Sequence, residues 1–133
     1  MKSDITTPEV TDVAVAVVPR QDAQEELWDI YLLNLREEPL ENVLVTSQGY
    51  GSIDGVDKTT TVLRHFHQQL GAHQAVKIEP IQPSLFSINN EYWVSFNSNG
   101  HMLDKRYTFP AGTIREEALE QLPVIDRPGI AMQ

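Results

Sequence analysis

Residues 27–51, LWDIYLLNLREEPLENVLVTSQGYG, decide the fold of this 133-residue chain. Trp28, Ile30 and Leu32 alternate with Leu27, Tyr31, Leu33 and Leu35, so an extended segment here carries large apolar side chains on both faces. That suits a central strand, interrupted only by Asp29 and Asn34. The run Arg36-Glu37-Glu38-Pro39-Leu40 then turns the chain, because proline fixes φ and lacks an amide donor. Residues 41–47 return as a second strand, with Val43 and Val45 on one face and Leu44 on the other.

Upstream, residues 13–18, VAVAVV, are apolar on both faces and read as a first, buried strand. Residues 1–11 are polar and read as a flexible arm, and residues 19–26 as a loop. Downstream, Gly49, Gly51 and Gly55 punctuate a predicted loop over 47–58. The stretch 62–70, VLRHFHQQL, satisfies two periods. Val62, Leu63, Phe66 and Leu70 fit a helix stopped by Gly71, whereas Thr60, Val62, Arg64 and Phe66 alternate as in a strand. Three β-branched threonines just before it favour the strand.

Further strands are expected at 75–81, 85–88, 92–97 and 102–109, with Asn99-Gly100 as a hairpin turn because both residues tolerate positive φ. That hairpin places Tyr92, Val94 and Phe96 on one face and Trp93 on the other. Thr113 and Glu116 form a capping box ahead of Ile114, Ala118, Leu119 and Leu122, which predicts a short helix ended by Pro123. Residues 123–133 read as an extended tail. The sum is an all-β chain: an immunoglobulin-like antiparallel β-sandwich of about seven strands over residues 12–122, ending in a short C-terminal helix.

The phrase LWDIYLLNLREEPLENVLV, in which a strand ends at Asn34, passes Pro39-Leu40 and returns through Asn42-Val43, resembles the opening strand pair of bacterial immunoglobulin-like β-sandwich modules. The likeness covers these 19 residues and implies a binding or spacer module with no catalytic residues to carry over. The cysteine pair of antibody domains is absent, and Trp28 corresponds only loosely to their core tryptophan.

Ten basic against nineteen acidic residues give a formal charge of −9, which repels phosphate backbones and anionic headgroups, so neither nucleic acid nor membrane is an expected partner. With no cysteine, disulfides, thiolate metal sites and cysteine nucleophiles are excluded. The first residues lack an apolar core, and the 13–18 run is too short for a signal or membrane span, so a cytoplasmic protein is expected.

Four candidate chemistries compete. His65 and His67 alternate, which on a strand puts both imidazoles on one face about 7 Å apart, a spacing that suits one metal ion; His73 and His101 are the further candidate ligands. The opposing reading is a half-polar strand facing solvent. Asp54 and Asp57 offer hard oxygen ligands of the kind calcium takes, without the alternating ligands of an EF-hand loop. No GxSxG elbow accompanies the serines, and the paired glutamates 25–26, 37–38 and 116–117 point apart, so a non-enzymatic protein without a cofactor is expected. Finally, Tyr50, Tyr92, Trp93, Tyr107 and Phe109 supply rings for either a core or a recognition surface, and Tyr50, between two glycines, is the one expected to be exposed. The leading expectation is an interaction module that contacts a protein partner or itself through an edge strand or through the loop bearing Gly49, Tyr50, Gly51, Asp54 and Asp57. A histidine-based metal or small-ligand site is the alternative.

Overall fold

The computed structural model describes residues 9–21 and 26–133, and these build two antiparallel sheets. The ten strands among the described residues are β1 (Val13–Pro19), β2 (Trp28–Asn34), β3 (Leu40–Ile53), β4 (Val56–Thr59), β5 (Leu63–Leu70), β6 (Gln74–Ile81), β7 (Asn89–Ser98), β8 (His101–Phe109), β9 (Glu120–Gln121) and β10 (Pro128–Met132). The first sheet has the order β6-β2-β1-β10-β9. The second runs β4-β3-β7-β8, with β5 following β4 along the same side of the long strand β3.

The turn at 36–39 is a corner between sheets. β2 pairs with β1 and β6, while β3 pairs with β4, β5 and β7. Asn34 sets the corner. Fully buried, it donates from Nδ2 to the carbonyls of Glu38 (2.9 Å), Gly71 (3.0 Å) and Leu70 (3.3 Å), and its Oδ1 accepts the Arg36 amide (3.0 Å). A polar interruption in an apolar strand thus becomes the clasp that ends it. Asp29, the other interruption, is buried against the Arg20 guanidinium at 3.0 Å, with the Lys77 ammonium at 3.5 Å.

Valine at positions 13, 15 and 17 faces the main core between the sheets, with Ile30, Leu32, Val43, Val45, Tyr92, Val94, Phe96 and Phe109. Ala14, Ala16 and Val18 face the other way, into a smaller cluster closed by Leu33 and Leu122. Both faces of β1 are therefore covered, as its unbroken apolar run requires.

Four expectations are corrected. Residues 113–122 do not form the capped helix: a 3-10 turn spans Glu116–Ala118, and the Thr113 hydroxyl donates to the Pro110 carbonyl at 2.6 Å. The reason lies in packing, since Ile114 enters the main core while Leu122 lies on the opposite side of β1, two destinations that one helical stripe cannot serve. The expected tail is instead β10, in register with β1 from Ile130 opposite Val17 to Met132 opposite Val15. Residues Pro83–Ser87 form a 3-10 turn in place of the strand expected at 85–88, opening with Pro83 in its first turn. The predicted glycine loop is mostly strand, because β3 continues to Ile53 and reverses only at Asp54-Gly55, both at positive φ. The ambiguous stretch is a strand, β5. Of the expected N-terminal arm, residues 1–8 lie outside the described residues; Val10 is buried, and its carbonyl accepts from Lys105 Nζ at 3.2 Å.

Candidate functional site

Two features stand out, an uncovered edge and a buried carboxylate. β3 has β7 on one side and, on the other, the segment of β4 and β5 joined through residues 60–62. The far side of that segment is paired with nothing among the described residues. Along it stand Val56 (57% exposed), Val62, Leu63 and Phe66 (62% exposed). Register puts Phe66 opposite Leu44 and Arg64 opposite Thr46, and Thr46 in turn opposite Trp93, which faces Arg106. Leu44, Phe66 and Trp93 are exposed, so the outer face of the second sheet carries an apolar row, with the Arg106 guanidinium 4.6 Å from the Trp93 ring centre.

The other edges are defended. β9 has two residues. β6 carries Lys77, Pro80 and a bulge opposite Ile30 and Tyr31, and β8 carries Asp104, Lys105 and Arg106 in its middle. β5 has eight residues, seven of them paired with β3 at constant register, and carries neither proline nor lysine, Arg64 being its one formal charge.

The bulge in β6 also shapes the second feature. Ile30 lies opposite Glu79 but Tyr31 opposite Lys77, so Ile78 is the extra residue and Glu79 shares the core-facing side with Trp28 and Ile30. Its side chain, 12% exposed, crosses to the second sheet. There Oε1 accepts the Ser47 hydroxyl at 2.9 Å and meets His65 Nε2 at 2.7 Å. Tyr92 faces this carboxylate, and burial first, then the negative charge of Glu79, pushes its phenol well above the ordinary tyrosine range. Four strands, β3, β5, β6 and β7, thereby meet at one carboxylate. Beside it a cleft of about 360 Å³ opens between the sheets, lined by Leu27, Leu63, Ile81 and Leu85 among others.

The sequence candidates divide as follows. His65 and His67 do share a face, but it is the half-buried, core-facing side, opposite Val45 and Val43, and not the solvent side. His73 pairs instead with Glu37 at 3.1 Å, and His101 sits at the hairpin opposite Ser98. Among the described residues no group of three or more histidines and carboxylates could hold a metal ion. Gly49 is buried and Gly51 half-buried within β3, where an added Cβ would stand 3.0 Å from Ile88, so these glycines admit a close neighbour and do not present a loop. Tyr50 is exposed, on the outer face of the second sheet, and Asp54 and Asp57 are exposed at and beside the β3–β4 turn. Tyr92, Tyr107 and Phe109 belong to the core, leaving Trp93 and Tyr50 as the outward rings.

The Ser47–Glu79–His65–Tyr92 cluster escaped sequence reasoning because it depends on a bulge and on pairing across two sheets. Its one sequence signal is Glu79 alternating with Ile81, a carboxylate on an apolar side of a strand. No described helix is long and apolar enough to cross a membrane. No protein-family model and no curated protein matches the chain.

Proposed function

We propose that the protein is a non-enzymatic interaction module that associates with a second copy of itself by pairing β5 edge to edge, extending the second sheet across a two-fold axis. The observation that carries the reading is the undefended β5 edge, eight residues long with Phe66 exposed. Exposed edges of this kind are covered in stable soluble proteins, since their free amides and carbonyls template another strand.

Charge supports the same occupant. The chain is −9 overall, so two copies repel over most of their surfaces, yet residues 56–70 carry Asp57 against Lys58 and Arg64 and form an edge that is not acidic. An antiparallel pairing centred on Phe66 sets Arg64 opposite Gln68 of the other copy, brings the two Phe66 side chains together on the outer face, and places no like formal charges directly opposite. This is also the manner of use implied by the immunoglobulin-like resemblance of residues 27–45, a module working through contact and not through chemistry.

Amide hydrogen exchange at two protein concentrations tests the pairing. Alternate β5 amides gain protection at high concentration and lose it on dilution, while β7 amides stay unchanged. Exchange in β5 that is fast and independent of concentration overturns the proposal.

A further inference from the structure

We infer that the cleft beside Glu79 is a binding site for a small alkylammonium group. The cleft lies between the sheets, where Glu79 reaches from β6 to Ser47, His65 and Tyr92. Its volume of about 360 Å³ falls at the small end of ligand sites. Leu27, Leu63, Ile81 and Leu85 make its walls apolar, and among the described residues neither lysine nor arginine lines it. A carboxylate only 12% exposed thus opens onto space that the protein does not fill.

Among the partners of Glu79 only His65 can carry a positive charge, and only when its imidazole is protonated. Ser47 and Tyr92 bring neutral hydroxyls. His65, when neutral with its proton on Nε2, donates a hydrogen bond to the carboxylate and supplies no positive charge. A buried carboxylate in such a setting favours a cation, and the apolar walls favour a short alkyl chain behind it. An anion is repelled by Glu79, and a neutral alcohol gains the walls without the charge. The shared chemistry is that of a free primary amine or of a lysine side chain from another protein.

The test is a titration of the full chain, followed by amide ¹H–¹⁵N shifts, with n-butylammonium chloride against n-butanol, sodium butyrate and sodium chloride. Saturable shifts at Ser47, Gly49, Asn90 and Tyr92 with n-butylammonium alone are expected, weakened at least tenfold in Glu79→Gln, which keeps a hydrogen-bonding side chain but loses the charge. Should that variant fail to fold, Thr61→Trp, at an exposed position on the rim, is expected to block the cleft to the same extent. Parallel titration with Nα-acetyl-lysine methylamide identifies the source: tighter binding than n-butylammonium points to a lysine side chain, and weaker binding to a free amine. Absence of saturable shifts with both amines, equal shifts with n-butanol, or equal affinity in a folded Glu79→Gln protein overturns the inference.

Discussion

Glu79 Oε1 and His65 Nε2 stand 2.7 Å apart although they belong to different sheets, the first on the edge strand β6 and the second on the edge strand β5. The two sheets are tied there by polar side chains, as they are where Tyr107 donates to the Val13 carbonyl and Asn34 to the Leu70 carbonyl. Glu79→Ala removes the partner of Ser47 and His65 together and leaves the buried Ser47 hydroxyl without its acceptor. A loss of about 1–3 kcal/mol is expected from such a deletion. Chemical denaturation of Glu79→Ala beside Glu79→Gln checks it, the glutamine variant losing less because its amide still hydrogen-bonds.

Asn34 holds the corner between β2 and β3 with four hydrogen bonds from a side chain wholly removed from solvent. Asn34→Leu, similar in size but without donors or acceptor, orphans the Arg36 amide and three carbonyls. The expected loss exceeds that of Glu79→Ala and is about 3 kcal/mol or more, because several backbone groups are left unpaired at once. The midpoint of a urea transition measures it directly.

Gly129 on β10 has no room for a side chain, since an added Cβ would sit 2.8 Å from the Val17 carbonyl oxygen and 2.5 Å from Leu122 Cδ1. Gly129→Ala therefore pushes β10 from β1 and uncovers the Ala14, Ala16 and Val18 face. A destabilisation of about 1–3 kcal/mol is expected, typical of overpacking, with amide exchange accelerated in β10 before β7.

Tyr92 and Tyr107 are both pushed above the ordinary tyrosine range, Tyr92 by burial and the Glu79 charge, Tyr107 by burial. Tyr107 also donates its hydroxyl proton to the Val13 carbonyl at 2.7 Å. Raised values mean that the folded state holds these protons more tightly than the unfolded chain does. The stabilisation is thus fully present below the unfolded value of about 10 and declines as pH rises beyond it. Ultraviolet difference absorbance is expected to show these two phenols ionising only as the protein unfolds at alkaline pH. Ionisation of all four tyrosines in a protein that remains folded contradicts this.

The strand pattern was legible wherever alternation was carried by large side chains. β1, β2 and the β7–β8 hairpin follow directly from VAVAVV, from Trp28 to Leu33 and from Asn99-Gly100. The all-β antiparallel class followed from the same evidence. What failed did so for stated physical reasons. Gly49 and Gly51 carry no side chain and so hide the continuation of β3, although their inward positions are what let Ile88 pack close. The capping box at Thr113 and Glu116 is a local signal overridden by Ile114 and Leu122 packing on opposite sides of β1. His65 and His67 were rightly placed on one face, but alternation alone does not say which face is inward. The partner of His65, Glu79, lies in another sheet and is reached only through the bulge at Ile78.

The central claim, that the β5 edge joins two copies, is tested most directly by light scattering coupled to size exclusion across a concentration series, on the native chain, Phe66→Lys and Met102→Lys. Phe66 and Met102 are both highly exposed, so neither lysine disturbs the core, but Phe66 lies on β5 and Met102 on β8 at the opposite edge of the same sheet. The expected result is a mass that approaches twice 15.0 kDa for the native chain and for Met102→Lys, with Phe66→Lys held at the monomer. A native chain that stays monomeric at every concentration, or a dimer that survives Phe66→Lys and is broken by Met102→Lys, contradicts the account.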